Sequence, residues 1–298
     1  MCLVTLVGIE GSAPRPLGSQ IAVADDGEAQ GYITGGCAEA SIIAEALSLI
    51  KSKENRMVRY GEGSPYKDIA LPCGSGIDVY FDTKLQPSIT TDIINKLHSR
   101  EPVSLVTNIK DGSTETGVYD SRLPQRNAGV FTRPYVPTFK LFIAGKGPVL
   151  PALSSLACQA GVEVIAASPE TATLDEITDR GITKTQLNAP EDFTPNPIDA
   201  WCAAVTLFHD HEWEPPILKH FVRSDCFYVG ALGSRRTHAV RLETLEQEGL
   251  QPQELEKLRG PVGLDIQAST PTEVAISILA EIIQTYRVAE RGPARWHR

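Results

Sequence analysis

Two cysteines stand where a thiol could do chemistry. Cys37 follows Gly35-Gly36, just ahead of an apolar helical stretch at Ser41–Ile50, and Cys73 lies in Pro72-Cys73-Gly74-Ser75-Gly76, just ahead of a short strand. A thiol at a helix N-terminus has its thiolate favoured by the helix dipole and by nearby cations, here Arg15. Thiolates are nucleophiles and soft ligands, suited to sulfur transfer or to a soft metal centre. Arg15 belongs to a rigid loop bracketed by glycines, Gly11-Ser12-Ala13-Pro14-Arg15-Pro16-Leu17-Gly18. Two thiols do not close a zinc site, which takes four ligands. Cys2, Cys158, Cys202 and Cys226 read as small buried apolar residues, and no pair has CxxC spacing.

A second set of residues suits anions. Gly145-Lys146-Gly147 falls between a strand and a helix, where glycines let backbone approach a phosphate and free N–H groups at the helix start attract it. The third-glycine position is Leu150, and the next strand ends at Ser168, with Glu170 beyond a proline. A bound NAD wants an acid at that tip for the ribose hydroxyls. The turn therefore reads as Rossmann-like without a clear case for NAD, although a tip lacking an acid tolerates a 2′-phosphate. Gly230-Ala231-Leu232-Gly233-Ser234-Arg235-Arg236 is a second strand-to-helix turn, now with two guanidiniums at the helix start. Both turns belong at the carboxyl edge of one sheet, which points to a phosphorylated ligand. His209-Asp210-His211-Glu212 follows a strand tip and reads as a polar lip of the cleft, since no third metal ligand is evident nearby.

Positioning these residues requires two kinds of scaffold. From Phe139 onward strand and helix alternate: strands at Lys140–Ala144, Val162–Ala167, Asp199–Phe208 and Cys226–Gly230, helices near Leu150–Ala160 and Arg235–Glu248. A capping box at Thr270-Pro271-Thr272-Glu273 opens a last helix. Such alternation predicts an α/β fold with a Rossmann-like, doubly wound parallel sheet over residues 139–298. Residues 1–82 read as a smaller N-terminal α/β domain, with strands at Val4–Ile9, Gln20–Ala24 and Ile77–Phe81 around the one helix. Residues 83–138 read as a connecting segment with some secondary structure, and 123–137, rich in Pro, Arg and Gly, as a linker or arm.

Composition narrows the function classes. The 298 residues carry 28 Lys plus Arg against 37 Asp plus Glu, a net charge of −9, which argues against a nucleic-acid or anionic-membrane surface. No apolar stretch approaches the ~20 residues of a membrane span. The first eight residues read as a strand and not a signal peptide, so a soluble cytoplasmic protein with reduced thiols is expected.

GSAPRPLG, ITGGCAEA, LPCGSGIDV, the Gly-x-Gly turn, LFHDHE, YVGALGSRRTHAVRL and GPVGLDIQASTPTEVAISILAEI together resemble the xanthine dehydrogenase accessory factor (XdhC/CoxI) family, over about residues 3–82 and 139–287. The resemblance implies a small N-terminal domain plus a Rossmann domain, often in a homodimer. It implies binding of molybdenum cofactor (molybdopterin), protection until sulfuration by a cysteine desulfurase, and handover to a xanthine dehydrogenase-type molybdoenzyme. The family's motifs fall here on Gly11, Ser12, Pro14, Arg15, Gly35, Gly36, Cys37 and Cys73, then on Gly145, Gly147, His209, Asp210, His211, Gly230, Gly233, Ser234, Arg235 and Arg236. The cofactor is a phosphorylated pterin, anionic and soft at its dithiolene end. Arg235 and Arg236 would suit its phosphate, and Cys37 or Cys73 its metal–sulfur end. The resemblance transfers no catalytic residue.

Three departures stand out. Ser168 replaces the acid that resembles a ribose binder, Gln267 stands where the family usually has glycine, and the first strand lacks the usual preceding helix, so it would form an exposed edge or be covered by a partner chain. The rival reading is an NAD(P)-dependent oxidoreductase with an active-site thiol; a third is a scaffold whose Rossmann domain binds nothing.

Overall fold

Short apolar strands buried on both faces need helices above and below, and the second half of the chain is built that way. The computed structural model describes residues 1–36, 38–64, 76–195, 197–208 and 212–291. The chain forms two units, Met1–Pro137 and Thr138–Arg298.

In the first unit, β1 (Cys2–Glu10), β2 (Gln20–Val23), β3 (Ala29–Gly31), β4 (Arg56–Gly61) and β5 (Gly76–Asp82) form an antiparallel sheet in the order β3-β2-β1-β5-β4. The first strand is thus central, paired with β2 and β5. Helix α1 (Glu39–Ser52) buries Ile42, Ala46 and Leu49, at helical spacing, against Leu6, Ile21 and Phe81 of this sheet. It ends at Lys53, which takes the left-handed conformation with φ 57°.

Residues 87–135 hold α2 (Pro87–His98) and a second antiparallel sheet, β6 (Val103–Asn108), β7 (Thr114–Gly117), β8 (Gln125–Asn127) and β9 (Val130–Tyr135), in the order β7-β6-β9-β8. The stretch 123–137, read above as linker, therefore contains a hairpin. Its two turn residues, Ala128 and Gly129, both have positive φ (52° and 94°), the turn that matches strand twist. Alanine in the first turn position and proline within β9 hid it.

The second unit carries the expected parallel sheet. Its strands are β10 (Lys140–Gly145), β11 (Glu163–Ser168), β12 (Ile182–Gln186), β13 (Cys202–Leu207), β14 (Tyr228–Ala231) and β15 (Leu258–Arg259), in the order β12-β11-β10-β13-β14-β15. Leu141 and Ile143 enter one apolar layer with Leu153, Ile278 and Ile282, while Phe142 and Ala144 enter the other with Ile217, Phe221 and Leu245. Period-two alternation along β10 thus feeds both faces. The helices are α3 (Val149–Gln159), α4 (Thr171–Asp175), α5 (Glu214–Val222), α6 (Arg235–Gln247), α7 (Pro252–Leu255) and α8 (Pro271–Arg291). The capping box that opens α8 forms: the Thr270 amide donates to Glu273 at 2.9 Å and the Glu273 amide to the Thr270 hydroxyl at 3.3 Å. Among the described residues, no helix is long and apolar enough to cross a membrane.

Candidate functional site

Strand order reverses between β10 and β13, so the crevice beyond their carboxyl ends is the place where sheets of this kind bind ligands. Two turns of the described residues meet there. The turn after β10 is held by the Lys146 amide, which donates to the Leu207 carbonyl at the end of β13 (3.2 Å). The Lys146 ammonium lies 5.7 Å from the centre of the Trp213 ring, and Trp213 stacks on Phe208 at 6.0 Å. The turn after β14 is tied to the same strand, with the Leu232 amide donating to the Thr206 carbonyl at 2.9 Å. The Gly145 and Gly230 turns therefore share one edge, as their spacing predicted.

The four glycines do different jobs. A Cβ on Gly145 would fall 2.5 Å from the Leu207 Cβ, and one on Gly230 would fall 2.6 Å from a Val262 methyl, so both are packing positions inside the sheet. Gly147 (φ +77°) and Gly233 (φ +145°) hold backbone that side chains rarely adopt, and among the described residues nothing lies within 4 Å of an added Cβ at Gly147. Of the two, Gly147 is the turn open to an approaching anion, while a Cβ on Gly233 would press on Thr237 at 3.1 Å. The Ser234 hydroxyl caps α6 by accepting from the Thr237 amide at 3.1 Å, leaving the amides between them to a ligand or water. Arg235 and Arg236 are both exposed, neither has an ion pair among the described residues, and both stand at the first turn of α6.

The tip of β11 is occupied from within. Ser168 is buried and its hydroxyl accepts from the Glu170 amide at 3.1 Å, while the Glu170 carboxylate accepts from the Thr173 hydroxyl at 2.9 Å. Thr173 in turn accepts from the Gly147 amide at 3.3 Å. The Glu170 carboxylate is thus committed, through Thr173, to bracing the glycine turn.

In the first unit the Arg15 loop and the glycines before Cys37 are neighbours: a Cβ on Gly35 would stand 4.0 Å from that of Pro14. Arg15 is exposed. Gly35 and Gly36 have positive φ (75° and 115°). Sequence reasoning missed what shapes this loop. The Glu39 carboxylate accepts from the consecutive amides of Ile33, Thr34, Gly35 and Gly36 at 3.1, 2.6, 2.9 and 2.7 Å, and from the Thr34 hydroxyl. Burial alone would raise its pKa, but the Thr34 hydroxyl and the Thr34 and Gly36 amides outweigh that and hold it at about 2. An acid in the first turn of a helix, three residues after a double glycine, was the available signal.

Cys37, Cys73 and His209-Asp210-His211 lie outside the described residues. Among the described residues, no three His, Cys, Asp or Glu side chains are grouped to hold a metal ion. Cys2, Cys202 and Cys226 are buried and Cys158 half-buried, all as free thiols. Burial, aided at Cys2 by the Asp82 charge, pushes Cys2 and Cys226 up to about 12, which keeps them protonated and inert.

A second omission was a buried pair. Glu214, the first residue of α5, and Arg241, two turns into α6, are 2% and 4% exposed and meet through Nε–Oε2 at 3.0 Å and Nη2–Oε1 at 3.3 Å. The signal was an arginine within the buried stripe of α6, four residues before Leu245.

Comparison with known proteins covers both units. Residues 1–61 match the XdhC and CoxI family, and residues 141–282 match the XdhC Rossmann domain. The molybdenum cofactor insertion chaperone PaoD of Escherichia coli is 34% identical over 282 residues, spanning 94% of this chain and 81% of that protein. A Bacillus subtilis protein named as a probable xanthine dehydrogenase subunit is 27% identical, spanning 95% of this chain and 92% of that one. A crystal structure described as a xanthine dehydrogenase from Bacillus halodurans superposes with a TM-score of 0.78 at 23% identity, covering 99% of this chain and 94% of the other, which establishes a shared fold.

Proposed function

The chain belongs to the XdhC and CoxI family, and on that premise we propose that it is a molybdenum cofactor carrier. It holds the cofactor for sulfuration by a cysteine desulfurase and delivers it to a xanthine dehydrogenase-type molybdenum hydroxylase, as a cytoplasmic homodimer. The relative named as a molybdenum cofactor insertion chaperone supports an accessory role.

The observation that carries the reading is two glycine turns on one sheet edge, the first open at Gly147 and the second leading to Arg235 and Arg236 at the start of α6. The residues fit the group by chemistry. Gly147 presents open backbone at φ +77°, the turn between Ser234 and Thr237 offers helix-start amides, and the two guanidiniums add charge-assisted donors for a phosphate. When bound, the cofactor supplies a molybdenum–dithiolene centre whose redox chemistry serves the client enzyme. Cys37 or Cys73 is the proposed soft ligand of its metal–sulfur end, and Arg15 a further proposed cofactor-binding residue.

Pterin content tests the reading. The protein, expressed in a host that makes the cofactor, is denatured, the released material oxidised, and the fluorescent pterin derivative measured alongside molybdenum. Stoichiometric pterin is the expected result. Its absence even after free cofactor is added to pure protein overturns the carrier reading and turns attention to NAD(P) titration.

A further inference from the structure

We infer that Glu214 and Arg241 are positioning residues that lock two loops of the ligand edge into one unit. Four links close a ring. The Thr206 hydroxyl donates to Glu214 Oε1 at 3.0 Å, and Arg241 donates to both Glu214 oxygens. Arg241 Nη2 also donates to the Leu232 carbonyl at 2.6 Å, and the Leu232 amide returns to the Thr206 carbonyl at 2.9 Å. Each member sits on a different element. Thr206 is near the end of β13, Glu214 opens α5, Arg241 is inside α6, and Leu232 is in the turn between β14 and α6.

The ring fixes two things at once. It sets the start of α5, and so where the loop leaving β13 returns to the sheet. It also sets the glycine turn, because Arg241 holds the Leu232 carbonyl and a Cβ on Gly233 would stand 3.1 Å from Thr237 and 3.4 Å from Arg241 Nη2. A buried ion pair is a weak source of stability, since desolvation offsets most of the attraction and an apolar pair of similar size often does as well. What an apolar pair cannot do is hold a carbonyl and a hydroxyl at set points. The planar fork of arginine, fully used on this side by Nε and Nη2, supplies that geometry. The guanidinium fixes the Leu232 carbonyl, and with it the path of the backbone into Gly233.

That the ligand of this edge is the cofactor phosphate rests on the carrier reading; the positioning role does not. The test compares the parent with the charge-free double variant Glu214→Leu/Arg241→Met and with Arg241→Lys. Three quantities are read: thermal midpoint, amide hydrogen exchange over residues 232–236, and pterin retained through gel filtration. The expected result for the double variant is a midpoint within a few degrees of the parent, at least tenfold faster exchange in the turn, and at least tenfold less retained pterin. Arg241→Lys keeps the charge and loses the fork, so it restores neither. Parent-like exchange and retention in the folded double variant overturn the proposal. If the double variant does not fold, parent-like exchange in Arg241→Lys does so instead. A parent that retains no pterin removes the carrier reading, while the exchange measurements still decide the positioning role.

Discussion

Thr34 and Glu39 clasp each other across the loop that precedes α1: the Thr34 hydroxyl donates to the Glu39 carboxylate and accepts from the Ala38 amide at 2.9 Å. The carboxylate gathers four consecutive amides as well, so one side chain replaces the water that an exposed double glycine would otherwise require. The loop carrying the proposed ligand Cys37 is shaped by an acid inside the helix it leads into.

Glu39 should make the first unit acid-sensitive. Its folded pKa of about 2 is depressed from the ordinary 4.5, so its contribution is complete above 4.5 and is lost as pH falls through 2. Glu39→Gln should cost about 1–2 kcal/mol at pH 7, allowing for solvent screening, and the gap to the parent should close near pH 2. Urea unfolding at both pH values checks this. A gap that stays constant with pH would assign the loss to packing.

The glycines of the first anion turn should separate stability from binding. Gly145→Ala places a Cβ 2.5 Å from Leu207, against backbone atoms that cannot yield, and should cost about 2–3 kcal/mol. Gly147→Ala meets no atom of the described residues within 4 Å but must hold φ +77°, at about 1 kcal/mol. Thermal melts and pterin retention on both variants should show the milder lesion losing more ligand than its stability loss explains. Full retention by Gly147→Ala would remove this turn from the binding site.

Buried thiols should resist alkylation. With Cys2 and Cys226 near 12, their thiolate fraction at pH 8 is on the order of 10⁻⁴, so iodoacetamide should label them only after unfolding. Because the folded state holds these protons more tightly than the unfolded chain, their contribution is complete below pH 9 and declines as pH rises toward 12. Peptide mass spectrometry of native and urea-treated protein provides the comparison; equal labelling of Cys226 in both would contradict its burial.

Gln267 has φ 56°, in the left-handed region that favours glycine. Gln267→Gly should leave stability unchanged or raise it by up to about 0.5 kcal/mol, relief of the left-handed backbone being offset by the freer unfolded chain. Gln267→Val should lose about 1–2 kcal/mol, because a β-branched residue tolerates that region poorly. Parallel thermal melts decide, and a valine variant as stable as the parent would refute the backbone assignment.

Legibility followed period and punctuation. The parallel sheet was readable because residues 141–144 form an apolar run into a glycine turn and 202–208 are apolar but for Thr206, and α8 because Thr270 and Glu273 announce it. Strand β4 and the β8–β9 hairpin were not, since Arg56, Arg59, Arg126 and Arg133 interrupt any apolar alternation with side chains that bind across space. The glycine turns and their arginines were visible as candidates. Glu39, Glu214 and Arg241 were not, because their partners are distant or are backbone atoms, and a sequence displays neither.

The second sheet grips the first through such arginines. Arg133 donates to the Gly18 carbonyl at 2.7 Å, Arg126 pairs with Asp78 at 3.2 Å, and the Tyr135 hydroxyl donates to Gln20 at 2.6 Å. Each bond joins a residue of the unassigned middle of the chain to a residue of the motif-bearing start. For anyone recombining relatives, the natural seam falls after residue 137: a chimera that exchanged 1–82 alone would inherit a loop of one lineage clamped by the arginines of another.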